Sequence, residues 1–276
     1  MRTYFRSLFT GALSVGAGAM VFGGAIAGDL PAVSGVNGKV AAAFGAMNDE
    51  GTGTLSGSFV TPLGHAFGLQ IDGAIGSSDG DAEYGIGAHA FWRDPERALV
   101  GLYASYSGID GNRDVNVGVA AGEAEAYFGR ISLEGLAGID YGYGQTDFFG
   151  AATVGYYPID NLRLYGGYLH AGGDSYGSLG FEWQPGFASA PNVSLFADGL
   201  AGEDDNWSAM AGVRFYLGGK THTLIQRHRE DDPGDLGLRA LGQALDRLQE
   251  KEEEKPEAAA SSCPPGATPV PGGCVM

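Results

Sequence analysis

Five histidines could act as bases or ligands in this chain: His65, His89, His170, His222 and His228. They are dispersed along the sequence. A nucleophile and its base must lie within hydrogen-bond reach. Antiparallel pairing about Asp94-Pro95-Glu96 sets His89 near Gly101 and leaves Ser105 four residues further along, out of contact. The segment Asp110-Gly111-Asn112-Arg113-Asp114 begins like a calcium loop, but Val115 stands where the glycine belongs and Ala121 where the bidentate glutamate belongs. Gly142-Tyr143-Gly144 lacks the lysine and the helix of a phosphate loop. These residues supply no catalytic set, no metal site and no cofactor site, so no enzymatic activity is expected. The two cysteines, Cys263 and Cys274, flank a proline-rich stretch. In an oxidising compartment so short a loop closes as a disulfide, stabilising by about 3 kcal/mol. A zinc pair is the alternative, with no histidine nearby to complete it.

The elements that position the remaining charged residues emerge from composition and period. The 276 residues include 49 Gly, carry only 18% charged side chains and have a net charge of −17. That charge opposes nucleic-acid binding, which needs a basic surplus. A hydrophobic share of 44% opposes global disorder. Residues 1–27 read as a signal peptide: Arg2 and Arg6, an apolar run from Ser7, then Ala25-Ile26-Ala27. An uncleaved anchor is the other reading, though five glycines thin the run. Past residue 27 no stretch is long and apolar enough to form a spanning helix.

After a lead over 28–37, residues 38–219 repeat one pattern. Twelve runs alternate apolar and polar: 38–48, 52–63, 66–77, 82–93, 97–108, 115–128, 131–142, 147–158, 161–172, 175–184, 192–202 and 206–217. Turn residues such as Asp49-Glu50-Gly51, Asp94-Pro95 and Asp204-Asp205-Asn206 separate them. In the last run Trp207, Ala209, Ala211, Val213, Phe215 and Leu217 share one face, opposite Ser208, Gly212 and Arg214. An oily face backed by a polar one fits a closed antiparallel transmembrane β-barrel of about twelve strands, with lipid outside and water inside. A soluble β-sandwich gives the same period. Three features favour the barrel. Aromatic residues gather near the run ends, with Tyr84, Tyr106, Tyr141, Phe148, Tyr168 and Trp207 at one rim and Phe67, Trp92, Tyr156 and Phe215 at the other. The run count is even. The connections also sort by charge: acids such as Asp49, Glu50 and Asp81 mark one end, and Arg93, Arg97, Arg130 and Arg163 the other. Run six breaks the phase, because Val115, Val117 and Val119 put apolar side chains on odd positions while Ala124, Ala126 and Phe128 put them on even ones. A bulge near Gly122 is expected to reset it.

On the wet faces, Asp72, His89, Glu125, Glu134, Asp140, Arg163, Asp198 and Arg214 line the interior. A turn at Gly129-Arg130 sets Glu125 opposite Glu134, with Arg163 a candidate to neutralise the pair. Asp198 and Arg214 lie on adjacent runs and could pair. Such groups either fill the interior as ion pairs or line a permeation path. The connections are short, so no lid or large plug is expected.

The final run, Met210 to Leu217, has Gly212 followed at the third and fifth positions by Phe215 and Leu217. It resembles the closing-strand signal of porin-like outer-membrane β-barrel proteins of Gram-negative bacteria. The resemblance implies an outer-membrane location, contact with outer-membrane lipid and handling by the barrel-assembly machinery. Bases in the barrel span are outnumbered about three to one by acids, and acidic rings favour cations. The expected function is a passive, cation-preferring channel for small solutes, and the alternative is a structural barrel that anchors a periplasmic tail for a partner. That tail comprises a linker and amphipathic helix over 220–255, then a Pro/Gly-rich stretch over 256–276. Leu238, Leu241, Leu245 and Leu248 form one narrow stripe within 235–255. The stripe suits self-association or a periplasmic partner, or else a frayed surface helix. The barrel reading predicts that the purified protein needs detergent and that its gel migration shifts on heating. A protein that stays dissolved without detergent and shows no shift contradicts it.

Overall fold

In a computed structural model, the structure describes residues 28–78, 80–110, 115–142, 145–186, 190–203, 206–218, 222–234, 268–270 and 273–275. Twelve strands form one closed antiparallel barrel. They are β1 (Asn37–Met47), β2 (Glu50–Leu63), β3 (Phe67–Ser78), β4 (Asp81–Asp94), β5 (Ala98–Asp110) and β6 (Val115–Phe128), followed by β7 (Ile131–Gly142), β8 (Gln145–Ile159), β9 (Leu162–Ala171), β10 (Asp174–Trp183), β11 (Val193–Gly202) and β12 (Trp207–Leu217). Each strand pairs with its sequence neighbours, and β12 closes on β1 from Gly38 opposite Leu217 to Met47 opposite Ser208. Both barrel ends therefore lie at one rim, called here the terminal rim. A three-residue helix, α1 (Leu224–Gln226), runs into a π turn over Arg227–Asp231. A small hairpin, β13 (Thr268–Val270) with β14 (Gly273–Val275), lies late in the chain. The signal peptide expected over 1–27, the helix expected over 235–255 and Cys263 fall outside the described residues.

The distribution of polarity is inside out. Leu179 is 74% exposed, Phe44 71% and Leu102 70%, whereas His89 and Asp72 are each 2% exposed and Gln70 is fully covered. Only hydrocarbon makes that arrangement favourable, because large apolar side chains facing water cost roughly 25 cal/mol per Å². Closure pairs the strand edges that an open sheet would leave unsatisfied in lipid. Tyr84, Tyr106, Tyr141, Phe148 and Tyr168 project outward at the far rim, and Phe67, Tyr156 and Phe215 at the terminal rim. On the outer wall the Tyr141 ring covers Gly118 so closely that a Cβ there would lie 2.2 Å from it. On the inner wall the Tyr165 ring covers Gly180 in the same way.

Two expectations fail here. No bulge forms at Gly122, which pairs with Leu102 and with Ala137 in unbroken register. Instead every odd residue of β6 points into the barrel. Val115, Val117 and Val119 are buried in a luminal cluster with Tyr103, Leu136, Phe149 and Tyr176. This part of the bore is a packed core, so apolar residues belong on its inner face. The register shift falls elsewhere, between Tyr156 and Ile159 where β8 meets β9. The second is the expectation that the bore has no plug. The terminal mouth is filled by the two segments that flank the barrel, 28–36 and 222–234. Ala32 N–H donates to the His65 carbonyl (2.7 Å), and Val33 packs with Val60, Phe91 and Leu99. Ser34 N–H donates to the Glu230 carbonyl (2.7 Å), which joins the two segments.

Val117→Asp tests the packed bore. A carboxylate in that dry cluster costs several kcal/mol, so the temperature of the gel shift should drop sharply. An unchanged temperature would mean that water reaches Val117.

Candidate functional site

All eight residues expected to line the interior lie on its inner wall, at alternate positions of their strands. Six of them fall into three groups with different partners, and Asp140 and Asp198 lie apart from these.

The first group surrounds His89. Register places it opposite Gln70 on β3 and Tyr103 on β5, two residues from where the simple pairing set it. The reason is the turn: Arg97 N–H donates to the Asp94 carbonyl (2.9 Å) and Glu96 N–H to the Asp94 carboxylate (3.1 Å), so Asp94 pairs with Ala98. His89 Nε2 lies 2.9 Å from Asp72 and Nδ1 2.7 Å from Glu123, and the Tyr103 ring packs 4.6 Å from the imidazole. With a carboxylate at each nitrogen, neither is left to activate Ser105. The group is a strut across β3, β4 and β6. Glu123 was not singled out in the sequence, although its even spacing from Glu125 on the same face was the signal.

The second group straddles β6 to β9. Glu125 does stand opposite Glu134. Arg163 donates to Glu134 (2.6 Å), as its position suggested, and Tyr127 donates to Glu125 (2.6 Å). Arg229, from the segment after the barrel, enters beside them. Its Nη2 donates to the Ile131 carbonyl (3.0 Å) and to Ser132 Oγ (3.1 Å), and its Cζ lies 4.9 Å from the Tyr127 ring centre and 5.8 Å from that of Tyr157.

The third group joins β10, β12 and the same segment. Glu182 accepts from Arg214, Ser194 and Tyr216. Arg227 donates to Gln184 (3.1 Å) and Asn192 (2.8 Å) and lies over the Tyr216 ring. His228 Nδ1 is 2.8 Å from Tyr157 Oη, and its Nε2 is 3.4 Å from Glu182. Lys39 on β1 is ion-paired with Asp232, and Ser34 donates to Asp231. Burial pulls the His228 imidazole below its ordinary range, although the Glu182 carboxylate acts the other way. The polar run 222–234 carried no periodic signal that would have marked it as part of the wall.

A cavity of about 170 Å³ lies between β1–β5 and β11–β12. It is lined by Lys39 and Arg214 toward the terminal rim, by Ser56 and Ser58 along one side, and by Glu83 and Asp198. Asp140, outside it, accepts a hydrogen bond from Gly172 N–H (2.9 Å).

The barrel is similar in fold to the KdgM porin, at a TM-score of 0.51 and 9% sequence identity, covering 64% of this chain and 98% of that one. The same values hold for the KdgM porin in complex with disordered oligogalacturonate. At greater distance lie the Acinetobacter baumannii outer membrane protein Omp33 (TM-score 0.44, 13% identity, 65% and 97% covered) and Escherichia coli outer membrane phospholipase A (TM-score 0.45, 12% identity, 69% and 98% covered). Neither a protein-family model nor a curated protein matches the chain. Its fold is that of the porin-like outer-membrane β-barrels.

Two outcomes follow from the geometry. Glu134→Ala strands the buried Arg163 guanidinium and should cost about 3–5 kcal/mol of stability, read as a lower unfolding temperature in detergent. The lowered pKa of His228 makes the docked segment 222–234 bind fewer protons than the free one. Docking is therefore full above about pH 6.5, the ordinary histidine value, and weakens as pH falls below it. Hydrogen exchange of 222–234, corrected for intrinsic rates, should accelerate on acidification, and His228→Gln should flatten that dependence.

Proposed function

We propose that the protein is a passive outer-membrane channel for small hydrophilic solutes, with a preference for cations. The observation that carries the reading is the cavity between β1–β5 and β11–β12, which runs from Lys39 and Arg214 to Met47, Thr52 and Ser208 near the far rim. Its wall mixes hydroxyls, such as Ser56 and Ser58, with apolar side chains, such as Ala41 and Leu200. Glu83 and Asp198 place two carboxylates on the same wall, and acid-lined paths favour cations. The seal at the terminal rim makes passage conditional on movement of 222–234. On this reading the terminal rim faces the periplasm, as in single-chain outer-membrane barrels with short periplasmic turns, and the tail beyond 234 lies there too. No chemical step is part of the proposal.

The seal itself favours a second reading. A barrel whose mouth is closed by the segment leading to the tail could serve as an anchor, presenting 235–255 to a periplasmic partner or to a second copy.

Planar-bilayer recording of the refolded full-length protein separates the two. The channel reading expects discrete steps and a cation-to-anion permeability ratio above one. The ratio should fall several-fold toward unity in the Glu83→Gln, Asp198→Asn protein. A silent bilayer with a heat-shiftable, folded barrel favours the anchor.

A further inference from the structure

The surroundings of Arg229 have the makings of a recognition site rather than of a generic seal. Two tyrosine rings, Tyr127 and Tyr157, face its guanidinium. Such faces attract cations, most strongly when water is excluded. The Ser132 hydroxyl and the Ile131 carbonyl accept from its nitrogens. Every one of these acceptors belongs to the barrel wall, on β6, β7 and β8, and not to the inserted segment. The charge is matched by the wall as well. Glu125 and Glu134 stand side by side on β6 and β7, and Arg163 bonds to Glu134. The Glu125 carboxylate accepts from the Tyr127 hydroxyl, with Arg93 further off. A second cation beside this pair is therefore electrostatically favoured. A planar, delocalised cation suits the position better than a compact ammonium, because it can stack on a ring while its edge donates in plane. Arg227 is received nearby by the same chemistry, over the Tyr216 ring and against Gln184 and Asn192.

We infer that the terminal mouth contains a guanidinium-binding site formed by Tyr127, Tyr157, Ser132 and the Ile131 carbonyl, and that Arg229 occupies it as a tethered ligand. When 222–234 withdraws, the vacated site takes small guanidinium-bearing solutes and slows their passage. The solute class rests on the channel reading, whereas the site itself does not.

The Arg229→Ala protein, full length and in detergent, vacates the site. Titration calorimetry with ethylguanidinium chloride, using the neutral isostere N-ethylurea as control, then reads binding. Ethylguanidinium should bind Arg229→Ala at least tenfold more tightly than it binds the unmodified protein, and N-ethylurea should bind neither. Adding Tyr127→Leu to Arg229→Ala should abolish the binding while the heat-shifted gel band persists. The inference is overturned if a folded Arg229→Ala protein binds ethylguanidinium no better than N-ethylurea, or if Tyr127→Leu leaves its binding unchanged. The same protein in a bilayer tests the channel separately. Calorimetric binding without current keeps the site and removes the channel, and current without binding does the reverse.

Discussion

Hydrocarbon offers the peptide group no hydrogen bonds, and each unpaired N–H or C=O exposed to it costs several kcal/mol. The ladder between β12 and β1 is where this constraint is met, from Gly38–Leu217 to Met47–Ser208. Without it the sheet would have two bare edges in lipid. Closure then dictates the rest of the side-chain plan. Once the sheet curls on itself, period two assigns each strand one face to lipid and one to a confined interior. Polar groups such as His89 and Asp72, which could not survive outside, are held within and matched across strands. The cost of enclosing them explains why they occur in groups, since a buried charge is tolerated only when it is paired and hydrogen-bonded.

The interior is divided. One side is a dry cluster around Val115, Val117, Phe149 and Tyr176. The other keeps a hydroxyl-lined space with carboxylates toward the far rim. Twelve strands enclose more room than side chains fill evenly, and in this barrel large residues on β5 to β10 take up one half. Glycines on the inner wall make that filling possible: Tyr165 can lie flat against β10 only because Gly180 has no side chain.

Much of this architecture was legible in the sequence. The twelve runs coincide with the twelve strands to within about two residues at most ends, because alternation and turn chemistry are both local signals. The opposition of Glu125 and Glu134, and the role of Arg163, followed from one two-residue turn. What was not legible depended on distant parts of the chain meeting. The valines of β6 looked misplaced because the lumen was assumed wet throughout, and nothing local announces that Leu136 and Phe149 will meet them there. The position of His89 was missed by two residues because the Asp94 side chain and Pro95 together built a wider turn than the shortest one. The segment 222–234 is mostly polar and has no period. Its fit is visible only against the tyrosines and carboxylates of the finished wall.

The bond between Ser34 and Glu230 ties a residue ahead of the first strand to one beyond the last. Lys39 with Asp232 does the same from within β1. Neither contact can exist until the two chain ends have been brought side by side, so the seal depends on closure of the barrel. An unfinished sheet, with β1 and β12 still apart, leaves both stretches loose. Completion of the cylinder is thereby made known at the one place where the chain enters and leaves it.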